Sequence, residues 1–107
     1  MNAFSDETCS GLQVYARPKD EESRALAESI RRSVSETAEP DNRRAVKSGE
    51  GIYVLKNNPN VSALVECGFL SNPEECKKLC EKEFQKELSF SIVCGIIKYM
   101  NETLSGV

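Results

Sequence analysis

The sequence predicts an α/β fold: a mixed, mostly parallel sheet with helices on its faces. Three observations predict it. Two short apolar runs rich in β-branched residues, IYVLK (Ile52–Lys56) and VSALVE (Val61–Glu66), have the length and composition of strands, and the second reads as buried on both faces. Two other stretches carry apolar residues at helical spacing: Leu26, Ile30 and Val34 in the first half, and a broad stripe from Phe84 to Leu104 in the second. Clusters of Gly, Pro, Asn and Asp punctuate the boundaries between these runs. At 107 residues the chain amounts to one domain or less.

In chain order, Met1 to Ser10 reads as loop. GLQVYA (Gly11–Ala16) alternates and is β-rich, which predicts a short strand near a sheet edge, closed by a turn at Arg17, Pro18 and Lys19. Asp20 is placed to cap a helix over Glu21–Ser35. Glu21 and Glu22 sit near its positive end, and Glu28 with Arg32 forms an i,i+4 pair on the outer face. From Glu36 to Gly51 turn formers and charges mix without periodicity, which predicts a long loop of a kind that is often functional. Asn57, Asn58, Pro59 and Asn60 give turn chemistry between the two apolar runs. That connection is too short for a parallel crossover, so the two strands either pair antiparallel or lie apart in a mixed sheet. Asn72, Pro73 and Glu75 then occupy the N-cap, first and third positions of a short helix that ends near Cys80, as in a capping box.

After Glu81, Lys82 and Glu83, a last helix over Phe84–Thr103 presents Phe84, Leu88, Ile92, Val93, Ile96, Ile97 and Met100, with Leu104 just beyond. A face this broad predicts burial against a sheet. Gly95, in its interior, costs up to ~1 kcal/mol relative to Ala, so a close backbone approach is expected there.

Composition excludes several classes. Apolar content of 39% and charged content of 29% fit a folded globular chain. The 14 basic against 17 acidic residues disfavour a nucleic-acid partner. No apolar run approaches the ~20 residues of a membrane span. Met1 to Ser10 is polar and carries Asp6 and Glu7, so it does not read as a signal peptide, and any export signal is expected upstream. The sequence contains no histidine, which removes imidazole ligation and His-based nucleophile arrangements. Its five cysteines (Cys9, Cys67, Cys76, Cys80 and Cys94) include no C-x-x-C pair. A Cys-only metal site from Cys67, Cys76, Cys80 and Cys94 lacks structural-zinc spacing, and reduced, partly buried thiols are the expectation.

The stretch around which the rest is organised is VSALVECGFLSNPEE (Val61–Glu75). Glu66 interrupts its apolar run at the C-terminal end, and a carboxylate in such a setting is costly unless something pairs with it. One reading is a structural ion pair with a Lys or Arg. The other is a catalytic carboxylate at the mouth of the sheet, since ligands of open α/β sheets collect at the carboxyl ends of strands.

LVECGFLSNPEE resembles the E-x-G-F-x-S-N signature of zinc-dependent bacterial cell-wall amidases, the N-acetylmuramoyl-L-alanine amidases. The NRR segment and a Lys before GIYVLK, and EFQKELSFSIVCGIIKYM after the signature, are similar to that family as well. Gly95 and Tyr99 look like its GI-x-x-Y helix, where they are structural. Asn2, Ala3 and Phe4 resemble the segment after a zinc-binding His in an H-x-N motif, with Met1 on the x. The likeness runs almost end to end and corresponds to the C-terminal half of the family's domain, so the sheet is expected to be incomplete.

The resemblance implies cleavage of the amide between N-acetylmuramic acid and L-alanine in peptidoglycan, in an extracytoplasmic, cell-wall setting. It implies a zinc ion in the complete domain, held by His, Glu and His ligands that match nothing here, so no metal is expected on this chain alone. Glu66 matches the family's catalytic proton-shuttling Glu. Asn2, beside the zinc site, and Arg43, in the segment along the groove, match positions near the substrate. The missing N-terminal half, or self-association, is the expected protein partner, and an apolar patch is expected beside IYVLK or SALVE. The alternative is a non-catalytic half-domain or remnant that acts as an interaction or wall-binding piece.

Overall fold

The computed structural model describes residues 9–104. Their element order is β1 (Gln13–Ala16), α1 (Glu21–Glu36), β2 (Lys47–Ser48), α2 (Tyr53–Lys56), β3 (Ala63–Glu66), α3 (Pro73–Leu79) and α4 (Lys82–Leu104). The α/β class and the mixed sheet are as the sequence predicts. The described strands lie in the order β2-β1-β3, with β1 parallel to β2 and antiparallel to β3.

Three expectations about strands are corrected. β1 is central among the described strands, not near an edge. Val14 and Ala16 are buried, and Lys47 and Ser48 pair with Tyr15 and Ala16 on the side away from β3. A two-residue strand has no period to detect, so β2 is hidden in what reads as loop. IYVLK is not a strand but a single helical turn, closed by Lys56 N–H to Ile52 O at 2.9 Å and Asn57 N–H to Tyr53 O at 3.0 Å. Leu55 alone is buried there, while Tyr53 is 82% and Val54 60% exposed, so no apolar face is present to hold the run extended. β3 is half-buried along its whole length rather than buried on both faces, and among the described strands it pairs with β1 alone.

One face of the sheet is closed by α1. Alternation along the strands turns Val14 and Ala16 of β1, and Ala63 and Val65 of β3, into a cluster with Ala27, Ile30 and Val34. The helix starts where predicted: the Asp20 carboxylate accepts from Ser23 N–H at 3.3 Å and from the Ser23 hydroxyl. Glu28 pairs with Arg31 at 3.2 Å and Arg24 at 3.8 Å rather than with Arg32. The Ser23 hydroxyl, and after it the Arg17 guanidinium, hold the Asp20 carboxyl below its ordinary value despite some desolvation. A carboxyl lowered in the folded state stabilises the fold above its unfolded value, near about pH 4, and that contribution is lost as pH falls through the folded value. In Asp20→Asn, which keeps a cap acceptor but does not titrate, the fall in melting temperature between about pH 4 and pH 2 should therefore be shallower than in the parent.

The last helix packs chiefly on α1 rather than directly on the sheet. Gly95 makes the close approach expected of it: a Cβ there would lie 2.7 Å from Ile30 Cα and 2.9 Å from Ser29 O. Ser29 Oγ donates to Gly95 O at 2.7 Å and Ser33 Oγ to Ser91 O at 2.6 Å, which ties the helices together along the same line. Rotated this way, α4 buries Phe84 and Leu88 and partly buries Ile92 and Ile96. Phe90, Val93, Ile97 and Met100 face outward, 49–68% exposed. The broad stripe is thus two faces, and one of them is uncovered. Around IYVLK and SALVE, where an apolar patch is expected, Tyr53, Val54 and Val61 are individually exposed.

Candidate functional site

The register places Glu66, the last residue of β3, opposite Gln13 and Leu64 opposite Tyr15. Alternation turns these four side chains to the sheet face away from α1. Gln13 is only 2% exposed, and its Nε2 donates to Ala45 O at 2.8 Å. From the loop before β2, Arg44 reaches the same face. Its Nη1 lies 3.5 Å from Gln13 Oε1, its Nε donates to Ser10 O at 2.7 Å, and its guanidinium lies 4.5 Å from the centre of the Phe69 ring. Burial, and then the Glu66 charge, push the Tyr15 hydroxyl above its ordinary value, while the Arg44 charge pulls it down. Tyr15, Glu66 and Arg44 therefore share one electrostatic environment.

Glu66 Oε2 is buried and has no hydrogen-bond partner among the described residues, and no salt bridge among them involves Glu66. Ser71 Oγ, five residues on, is likewise buried without a partner. An unpaired buried polar atom costs on the order of 1–3 kcal/mol, and more when charged. The fold thus holds a carboxylate oxygen at a strand end with a free acceptor position, the arrangement needed to take up or pass on a proton. The turn that follows is fixed by close packing: a Cβ on Gly68 would lie 2.5 Å from Glu75 Oε1. Asn72 caps α3 by accepting from Glu75 N–H at 3.1 Å, as predicted. The reciprocal half of the capping box is absent, because the Glu75 carboxylate accepts instead from Gly11 N–H at 2.7 Å.

Arg43, the other groove candidate, is exposed, and its Nη1 donates to Pro40 O at 2.8 Å. It lines a groove of about 430 Å³ together with Ser10, Glu39, Arg44, Glu75 and Lys78. Glu66 does not line that groove; Arg44 lines it beside Arg43 and also acts on the side of the sheet where Glu66 stands. Adjacent arginines are indistinguishable in sequence, and the only available signal was the Phe69 ring within the signature. Asn2 lies outside the described residues.

Among the described residues, no group of three or more His, Cys, Asp or Glu side chains gathers as a metal site, and the cysteines are free. Burial raises the Cys67 thiol, whereas Cys80 is exposed. A thiol-specific reagent at about pH 8 should therefore label Cys80 before Cys67, as mapped by peptide mass spectrometry. The reverse order would contradict this placement.

A mixed sheet with α1 on one face, and at the C-terminal end of a strand a carboxylate oxygen unpartnered among the described residues, is an open-sheet α/β arrangement. Residues 1–98 match the family described as N-acetylmuramoyl-L-alanine amidase. The chain belongs to this family. It is 34% identical over 102 residues to the germination-specific N-acetylmuramoyl-L-alanine amidase of Bacillus subtilis, a match covering 95% of this chain and 43% of that protein. The solved CwlD amidase of Clostridioides difficile, in complex with the GerS lipoprotein, superposes with a TM-score of 0.91 at 36% identity over 94% of this chain and 51% of that one. An N-acetylmuramoyl-L-alanine amidase from Clostridium difficile 630 gives a TM-score of 0.85 at 27% identity, covering 94% of this chain and 54% of that one. The chain spans about half the length of these relatives.

Proposed function

We propose that residues 1–107 are the C-terminal part of a single amidase catalytic domain. In its complete form this domain hydrolyses the amide between N-acetylmuramic acid and L-alanine in peptidoglycan, outside the cytoplasm at the cell wall. The observation that carries the reading is Glu66: a strand-end carboxylate with a buried oxygen that has no partner among the described residues, set in the E-x-G-F-x-S-N signature.

The donor set of this chain does not fit a catalytic zinc ion. It has no imidazole, and among the described residues no three candidate ligands gather. Carboxylates and water alone suit Mg²⁺ or Ca²⁺ better. We assign the zinc of the complete domain, whose chemistry is to acidify a bound water, to ligands outside these residues. What this chain contributes is proton handling. Glu66 accepts the proton lost as water adds to the amide carbonyl and delivers it to the nitrogen as the C–N bond breaks, so the amine leaves neutral. Arg44 and Gln13 hold the face on which Glu66 stands. Asn2 is assigned to the segment beside the metal and Arg43 to the outer wall of the substrate groove.

Metal analysis tests the division of labour. The purified chain should hold no stoichiometric zinc. The same chain joined to the complementary part of the Bacillus subtilis relative should hold one equivalent. Tight stoichiometric zinc on the chain alone would overturn the assignment of the ligands to the other half.

A further inference from the structure

We infer that Glu39, Asn42, Arg44, Asn72 and Glu75 form a clamp of positioning residues that fixes residues 9–12 relative to Glu66. The inference deepens the reading of Glu66 given above and rests on it. Residues 9–12 precede β1 and lie outside every helix and strand. Five of their backbone groups are nonetheless held, one after another, by side chains from distant segments. Asn72 Nδ2 donates to Cys9 O at 3.3 Å and Arg44 Nε to Ser10 O at 2.7 Å. Gly11 N–H donates to Glu75 Oε1 at 2.7 Å and Leu12 N–H to Glu39 Oε1 at 2.9 Å. Asn42 Nδ2 donates to Leu12 O at 2.9 Å.

The clamp is braced from within. Asn42 Nδ2 also donates to Glu39 Oε1 at 2.9 Å, its Oδ1 accepts from Arg44 N–H at 2.8 Å, and Asn72 Oδ1 accepts from Glu75 N–H. Glu39 and Glu75 are only 7% and 8% exposed. Two buried carboxylates, each bonded to a single backbone N–H, are a costly way to satisfy two donors that a neighbouring strand could satisfy. Leu12 itself is buried in the apolar cluster with residues of α1 and β1, and the five polar side chains add direction to that anchor.

Their geometry suits a different task. β1 and β3 are antiparallel, so residues 9–12 enter the sheet at the end where Glu66 sits. Asn72 closes the signature that Glu66 opens, Glu75 lies three residues further on, and Arg44 stacks on Phe69 within the signature. The clamp thus joins residues 9–12 to the turn that follows Glu66. Reactions that depend on placement lose rate steeply when groups shift by ~1 Å. On this account Asn42 and Arg44 of the N-R-R segment, with Asn72 and Glu75, act on registry rather than on substrate.

The test uses the chain joined to its complementary part, with Glu75→Ala, Glu75→Gln, Arg44→Lys and, as control, Glu66→Gln. Glu75→Ala should lower kcat by about tenfold or more while KM stays within about twofold and the melt remains cooperative. Glu75→Gln, whose side-chain oxygen can still accept from Gly11 N–H, should restore kcat to within about threefold of the parent. In the chain itself, hydrogen exchange at Gly11 and Leu12 should be slow and should quicken in Glu75→Ala. If Glu75→Ala does not fold, Arg44→Lys, which keeps the charge and loses the planar stack, carries the same kcat test. A Glu75→Ala or Arg44→Lys protein with parental kcat, in a background where Glu66→Gln is inactive, overturns the clamp and leaves the role of Glu66 standing. Turnover that survives Glu66→Gln overturns the reading of Glu66, and the clamp's purpose with it.

Discussion

Glu66→Gln in the complete domain should lower kcat by roughly 10²–10⁴-fold, the range ascribed to a positioned general acid–base, while leaving zinc content and fold intact. Gln keeps the shape and one carbonyl oxygen but cannot take up a proton. The carboxylate makes no salt bridge among the described residues, and its Oε2 makes no hydrogen bond there. Removing its charge therefore breaks no salt bridge among the described residues, and a neutral amide in the same pocket is easier to bury. Melting temperature should accordingly hold or rise slightly as turnover collapses. Near-parental turnover would show that Glu66 is not the proton carrier. Loss of the metal would make it a ligand instead.

The second large effect falls on stability, at the α1–α4 crossing. Gly95→Val should lower stability by about 2 kcal/mol or more and the melting temperature by about 10 °C. Helix propensity alone favours replacing Gly, by up to ~1 kcal/mol for Ala and less for a β-branched residue. Against this, a Cβ would meet Ile30 Cα at 2.7 Å, Ser29 O at 2.9 Å and Ile30 N at 3.1 Å. All three are backbone atoms of a packed helix, so no side chain can rotate away and the helices must separate. Separation would also stretch the Ser29 Oγ bond to Gly95 O and the Ser33 Oγ bond to Ser91 O. A thermal melt with no shift, or an upward one, would mean that the crossing is looser than these distances indicate.

What could be read from the sequence was what local chemistry decides. Asp20 ahead of Glu21 and Glu22, and Asn72 ahead of Pro73, fixed two helix starts because a cap needs only its own next turn. Gly95 signalled a close approach because a glycine inside an apolar helix has few other uses. IYVLK failed because β-branched composition reports a preference for burial, and only Leu55 is buried there. The α4 stripe gave the helix but not its orientation, since rotation is set by Ser29, Ser33 and Gly95 meeting across two helices far apart in the chain. At the site, Glu66 was legible from an apolar run and a signature. Arg44 was not, because nothing in an Arg-Arg pair says which guanidinium turns inward. Nor was the bond from Glu75 to Gly11, 64 residues away, which replaces half of a predicted capping box.

Digestion of purified peptidoglycan tests the central claim most directly, with the chain alone, its complementary part alone and the two joined. The readout is new stem-peptide amino termini at L-alanine. The joined protein should release peptides that begin with L-alanine, and neither part alone should do so, because Glu66 lies in one part and the metal ligands are assigned to the other. Release by this chain alone would contradict that division. A joined protein that melts cooperatively and holds one zinc, yet binds peptidoglycan and leaves it uncut, would contradict the amidase reading and favour a non-catalytic, wall-binding piece.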